Sequence, residues 1–151
     1  MKIMKSYLFI ALCILSLLTV SSCGDDVPED QQLMEFFEKN NITPQVTASG
    51  LFYVIDEPGS TQKPTAQSSV TVHYRGYFLD GDEFDSSFDR GAPSTFGLNQ
   101  VIRGWTEGIP LFGKGGKGSL YMPSSLAYGG RGSGSIPGFT PIAFDIELID
   151  F

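Results

Sequence analysis

Two stretches of this chain carry apolar residues at every second position, and they constrain the fold more than any other feature. Near the C-terminus these are Ile142, Phe144, Ile146 and Leu148, interleaved with Ala143, Asp145, Glu147 and Ile149. In the middle they are Val70, Val72 and Tyr74, interleaved with Thr71, His73 and Arg75. Successive side chains of a strand point to opposite faces, so each pattern describes a strand with one buried face. Eighteen Gly and nine Pro punctuate the chain, which favours short strands and many turns over a helical bundle. Further strands are expected at Leu51–Ile55, stopping at Pro58-Gly59, and at Ser119–Met122, with short pieces at Phe84 and Ser94–Leu98. Asp80-Gly81 is a turn dipeptide. Val101–Phe112 has room for one helix, which Gly104, Gly108 and Pro110 keep short. The sum is an α+β domain over residues 47–151, an antiparallel sheet with one short helix.

The N-terminus follows different rules. Lys2 and Lys5 precede an apolar run from Tyr7 to Val20, and Ser21-Ser22 then leads into Cys23. This is the layout of a secretory signal over residues 1–22. The alternative, a transmembrane anchor, needs about 20 apolar residues, and the run offers fewer. Val20-Ser21-Ser22-Cys23 resembles a bacterial lipobox, which implies lipidation of Cys23 and a membrane tether through its acyl chains. The second cysteine, Cys13, lies within the apolar run, so the globular part has no disulfide framework. Residues 23–46 read as a spacer: acidic from Gly24 to Asp30, then a short helical pattern, Gln31–Asn40, with Asp30 as its expected cap. Its apolar residues Leu33, Met34, Phe36 and Phe37 are expected to pack on the domain or on a second copy.

The residue inventory narrows the chemistry. A single histidine, His73, excludes a multi-His metal site and leaves a Ser-His-Asp or Cys-His catalyst without a placed base. A net charge of -7 argues against a nucleic-acid surface. Two glycine-rich matches also fail. Gly108 to Lys114 fits the start of a phosphate loop, but Gly115 stands where the magnesium-binding hydroxyl belongs. Gly113 to Gly118 matches G-x-G-x-x-G but runs into a strand, so no helix N-terminus faces a pyrophosphate.

Three blocks then point one way. The first is Val70-Thr-Val-His-Tyr74-Arg-Gly76-Tyr, followed by Asp80-Gly81 and Phe84-Asp85-Ser86-Ser87-Phe-Asp89-Arg90. The second is Val101-Ile102-Arg103-Gly104-Trp105-Thr-Glu107-Gly108. The third is Leu126-Ala127-Tyr128-Gly129 through Ile136-Pro137, then Phe144-Asp145-Ile-Glu147-Leu148. Together, in this order and spacing, they resemble the FKBP-type peptidyl-prolyl cis-trans isomerases, in the exported bacterial lipoprotein branch. The resemblance implies a twisted antiparallel sheet wrapped around one short helix and an isomerase that rotates X-Pro bonds. It places Tyr74, Phe84, Asp85, Val101, Ile102, Trp105, Tyr128, Ile136 and Phe144 around a pocket. Trp105 is then its floor, Tyr74, Phe84 and Phe144 its walls, and Asp85 and Tyr128 its polar rim. Ile102 offers a backbone N–H, and Arg90 supports Asp85. Phe78, Phe88, Phe96 and Tyr121 are left as core or surface.

The same resemblance implies proline-containing, unfolded or partly folded exported proteins as substrates and macrolides as inhibitors. It implies no cofactor; the single histidine and the net charge speak against a metal and a nucleic acid, and the signal layout with Cys23 implies a place in the bacterial cell envelope, lipid-anchored outside the cytoplasm. A non-catalytic chaperone or peptide-binding module using the same aromatic pocket is the alternative. The segment between Phe96 and Val101 is shorter than in small eukaryotic members, Gln100 replaces an acidic residue, and Ser94 stands where an aromatic is common. These departures bear on macrolide affinity and sequence preference.

Overall fold

The computed structural model describes residues 27–151, so the expected signal segment and Cys23 lie outside the described residues. Helix α1 (Glu29–Asn40) comes first, then β1 (Gln45–Val46), β2 (Phe52–Glu57), β3 (Ser69–Phe78), β4 (Glu83–Ser86) and β5 (Ser94–Gly97). Helix α2 (Arg103–Gly108), β6 (Lys117–Met122) and β7 (Ile142–Asp150) complete the order. The strands form one antiparallel sheet in the order β1-β2-β6-β7-β3-β4, with β5 also paired to β3. The two alternating segments are the long central neighbours: β3 and β7 pair along their length, with Tyr74 opposite Ile146 and Gly76 opposite Phe144. On its other edge β3 takes β5 at one end and β4 at the other.

The inner face of the sheet holds the main core. Val70, Val72, Leu120, Ile142 and Leu148 are fully buried there, against Ile109, Phe112 and Trp105 from the α2 region. Helix α2 is six residues long and passes into a 3₁₀ turn, Ile109–Leu111. Its glycines matter for space. A Cβ on Gly104 would lie 2.4 Å from Met122 Sδ, and one on Gly108 would lie 2.6 Å from Leu120 Cδ1. The helix can lie this close to β6 only because those positions have no side chain.

The outer face is covered by α1. Leu33 and Phe37, one turn apart, are buried on Phe52, Tyr77, Tyr121 and Ala143. The apolar face of the N-terminal arm thus packs on the domain. This also explains why Tyr77 and Ala143 are buried although they occupy the outward register of β3 and β7; they pair directly and lie under the helix. The expected cap is corrected. Helix α1 begins at Glu29 with Pro28 at its N-cap position and no side-chain cap bond, so Asp30 lies inside the first turn. Proline there lacks an N–H that would need a partner, and the acidic pair Glu29 and Asp30 faces the positive end of the helix. Residues 45–46 already belong to the sheet, just ahead of Thr47.

Candidate active site

A cavity of about 630 Å³ opens between the inner face of the sheet and the segments on either side of α2. Tyr74, Phe84, Asp85, Val101, Ile102, Trp105, Tyr128, Ile136 and Phe144 all line it. The blocks quoted from the sequence therefore converge on one hollow, although they come from β3, β4, α2, the loop before β7, and β7 itself. Arg90 sits behind Asp85 rather than in the lining, and Cys23 is outside the described residues.

The floor is Trp105, 4% exposed at the start of α2. Three rings meet it edge-on: Tyr74 at 5.1 Å, Phe144 at 5.2 Å and Phe96 at 5.5 Å between centroids. Edge-to-face contacts of this kind suit the aromatic quadrupole. Phe84 extends the wall, 5.6 Å from Phe144 at 88°. Gly76 makes that junction possible. In the register it stands between Asp85 of β4 and Phe144 of β7, and a Cβ there would meet the Phe84 and Phe144 rings at 2.6 and 2.7 Å.

The polar rim is built from one hydrogen-bonded trio. The Tyr74 hydroxyl donates to Asp85 Oδ2 at 2.5 Å. Arg90 donates through Nη1 to Asp85 Oδ1 and through Nη2 to the Tyr74 oxygen at 2.8 Å. Burial pushes the Asp85 carboxyl up, but the bonds from Tyr74 and Arg90 outweigh it and hold the group below the usual carboxylate range. Burial raises the Tyr74 hydroxyl, and the neighbouring Asp85 carboxylate raises it further. Burial likewise raises Tyr128, with a smaller push from the Asp85 charge. Both phenols therefore stay protonated and able to donate at neutral pH. Ser87, fully buried, fixes the turn that carries Asp85. It accepts from the Tyr74 N–H at 2.8 Å, and its own N–H donates to the Tyr74 carbonyl at 2.9 Å.

The Trp105 indole Nε1 is buried and has no hydrogen-bond partner. An unpaired buried donor costs about 1–3 kcal/mol, and here it belongs to a residue that lines the cavity. His73 takes no part in the lining. Its ring stacks on Phe88 at 4.6 Å and its Nδ1 pairs with Ser87 Oγ at 2.9 Å.

The structure adds Phe96, Gln100, Ser133, Gly134 and Ser135 to the lining. Phe96 was legible in principle. It pairs with Val70 across β3 and β5, so it shares the buried inner register. The serine–glycine loop has no periodicity to read and is placed only by the closed fold, where Ser133 and Ile136 bond each other's backbones.

Residues 60–149 match the family model described as FKBP-type peptidyl-prolyl cis-trans isomerase. The chain is 45% identical over 135 residues to an FKBP-type peptidyl-prolyl cis-trans isomerase FkpA of Aeromonas hydrophila, covering 87% of this chain and 50% of that protein. It is 40% identical over 127 residues to FkpA of Escherichia coli, covering 84% and 47%. The crystal structure of Escherichia coli FkpA superposes with a TM-score of 0.75 at 38% identity, over 82% of this chain and 58% of that one. A peptidyl-prolyl cis-trans isomerase from Pseudomonas syringae pv. tomato gives 0.68 at 36% identity, over 83% and 97%. The chain spans about half the length of the curated relatives it matches.

Proposed function

This chain belongs to the FKBP-type peptidyl-prolyl cis-trans isomerase family, and on that premise we propose that it catalyses rotation about X-Pro peptide bonds. The observation that carries the proposal is the convergence of the family's pocket residues on one aromatic cavity with an ionised, Arg-supported carboxylate at its rim. Rotation of a peptide bond faces a barrier of about 18–20 kcal/mol because it breaks amide resonance. No covalent bond is made or cut, so the site needs neither a nucleophile nor a metal.

The planar amide carries separated charge, and the twisted transition state carries less. The rings of Trp105, Tyr74, Phe84 and Phe144 give the proline a dry seat that favours the twisted form over the polar ground state. The Ile102 N–H and the Tyr128 hydroxyl are donors on the residues around that seat. Donors fixed in advance hold the substrate carbonyl without reorganising during the turn. An acceleration of five decades requires roughly 7 kcal/mol in all, within reach of a few such contacts.

The same proposal covers setting and substrates. The chain acts on proline-containing, unfolded or partly folded exported proteins, with macrolides as inhibitors that occupy the cavity. It is held outside the cytoplasm by acyl chains on Cys23. Among the described residues no helix is long and apolar enough to cross a membrane.

A protease-coupled assay on an X-Pro peptide tests the activity. Clean protein should accelerate isomerisation, and Tyr128→Phe and Asp85→Leu should each lower kcat/KM by about tenfold or more. No rate above background, with protection of a proline-free unfolding client intact, would turn the reading to a chaperone. Acyl-analogue labelling that disappears in Cys23→Ala supports the anchor; label that survives refutes it.

A further inference from the structure

Helix α1 touches the frame of the pocket at one polar point. Glu29, its first residue, accepts two hydrogen bonds from Ser124, one from the backbone N–H and one from the hydroxyl at 2.7 Å. Ser124 is 5% exposed and opens the 3₁₀ turn Ser124–Leu126, which runs into Tyr128. The first N–H groups of such a turn have no partner within it, and a carboxylate that takes them makes a charge-assisted pair, stronger than a neutral one. Here the carboxylate comes from a helix on the opposite face of the sheet, 95 residues earlier in the chain.

The turn also backs the pocket floor. A Cβ on Gly104 would stand 3.3 Å from the Leu126 carbonyl oxygen, and Gly104 immediately precedes Trp105 in α2. The turn therefore lies between Glu29 on one side and the Trp105 helix on the other, with Tyr128 at its end. Leu33 and Phe37 seat α1 on the sheet without help from Glu29. The Glu29 carboxylate therefore serves the turn as well as the positive end of its own helix.

We infer that Glu29 is a positioning residue for the isomerase reaction: through Ser124 it fixes the turn that carries Tyr128 and backs the Trp105 floor. The inference rests on the catalytic reading given above. Glu29 is not in the cavity lining, so its effect passes through Tyr128 and Trp105. Deleting it removes no residue of the pocket but lets the rim drift from the geometry in which the Tyr128 hydroxyl meets a substrate carbonyl.

The test is a double-mutant cycle on the full chain, with Glu29→Ala, Tyr128→Phe and both together. Glu29→Ala should lower kcat/KM about tenfold, mainly through kcat, because misplacement weakens the transition state more than binding. Glu29→Gln keeps one acceptor oxygen and should lose only about threefold. In the Tyr128→Phe background the further loss from Glu29→Ala should be clearly smaller than in the unmodified chain, leaving only the part that passes through Trp105, since interacting positions are not additive. Trp105 is the only tryptophan, so its single indole N–H resonance reports the floor; it should move in Glu29→Ala. Equal losses in both backgrounds, or an unmoved resonance with unchanged kcat/KM in folded Glu29→Ala, overturn the inference. If Glu29→Ala does not fold, Ser124→Ala and Glu29→Gln complete the same cycle. If the unmodified chain shows no isomerase activity, the catalytic reading fails on its own, and the Trp105 resonance alone decides whether Glu29 positions the floor.

Discussion

On the outer face of the sheet Phe37 stands edge-on to Tyr121 at 5.1 Å, under helix α1. On the inner face Tyr74 stands edge-on to Trp105 at the same 5.1 Å, beside a cavity of about 630 Å³. The materials are alike and the outcomes differ. The outer cluster is closed by Leu33, which is fully buried. Its polar neighbours are paired: the Tyr77 hydroxyl donates to Asp145 Oδ1 at 3.2 Å, Ser119 to the same oxygen at 2.9 Å, and Arg75 meets Oδ2 at 2.9 Å. The inner cluster is left hollow and keeps an indole N–H without a partner. Native interiors are close-packed with their polar groups satisfied. A region that departs from both rules at once fits the proposed substrate site, and the outer face shows what the inner one would look like if packing were its only task.

The sharpest way to break this comparison is to truncate one ring on each side. Phe37→Ala should destabilise the fold by about 3–5 kcal/mol, while the folded fraction keeps kcat/KM within about twofold. Trp105→Ala should lower kcat/KM by about a hundredfold or more. Its melting temperature should fall as well, since Trp105 and Phe37 are equally buried at 4% exposed, so activity and not stability separates the two variants. Melting curves and coupled assays on both variants decide it. Equal damage to activity from the two sides would mean that the faces are not separate in function.

Gly76→Ala makes a smaller cut at the boundary. The added methyl would run into the Phe84 and Phe144 rings. Overpacking of this kind costs about 1–3 kcal/mol, and the two rings that must yield both line the cavity. A drop in kcat/KM by about tenfold with a modest fall in Tm is the expected signature. Unchanged activity would show that the Phe84–Phe144 wall does not need its present shape.

The pH dependence separates the faces next. Asp85 has a folded pKa below its unfolded value, so ionisation favours the folded site. Its contribution is complete above the unfolded value of about 3.9 and disappears as pH falls through the lower, folded value. The acid limb of kcat/KM should therefore lie below about pH 4. Arg90→Met removes one of the two side chains that hold Asp85 down, leaving burial less opposed, and should move that limb upward. Asp85 and Arg90 are both well exposed, so global stability should respond little. An acid limb that stays put in Arg90→Met would detach Arg90 from the site's electrostatics.

How much of this was legible in the sequence depends on which face is considered. The inner register of β3 and β7 is written in strict alternation, so the core and the chain's general architecture follow from period alone. The pocket lining was legible only through motifs, because Trp105, Tyr128 and Ile136 sit on turns and a six-residue helix where periodicity carries no signal. The outer face was the least legible. Tyr77 and Ala143 occupy positions that read as solvent-facing, and only the docking of α1 buries them. Asp30 looked like a cap, but the helix starts before it. The bond from Ser124 to Glu29 links residues that no local rule could bring together.

The smallest expected effect tests how thick the closed face is. Met34 follows Leu33 directly on α1, but the helix turns about 100° per residue, and Met34 is 52% exposed while Leu33 is fully buried. If α1 is covered by nothing further, Met34→Ser changes stability by no more than about 0.5 kcal/mol and leaves kcat/KM untouched. Chemical denaturation at two protein concentrations checks this. A loss above about 1 kcal/mol that grows with protein concentration would show that a second copy of the chain covers the outward side of α1. The outer face would then be a packed interface as well as a packed core, while the inner face keeps its aromatic cavity of about 630 Å³ open.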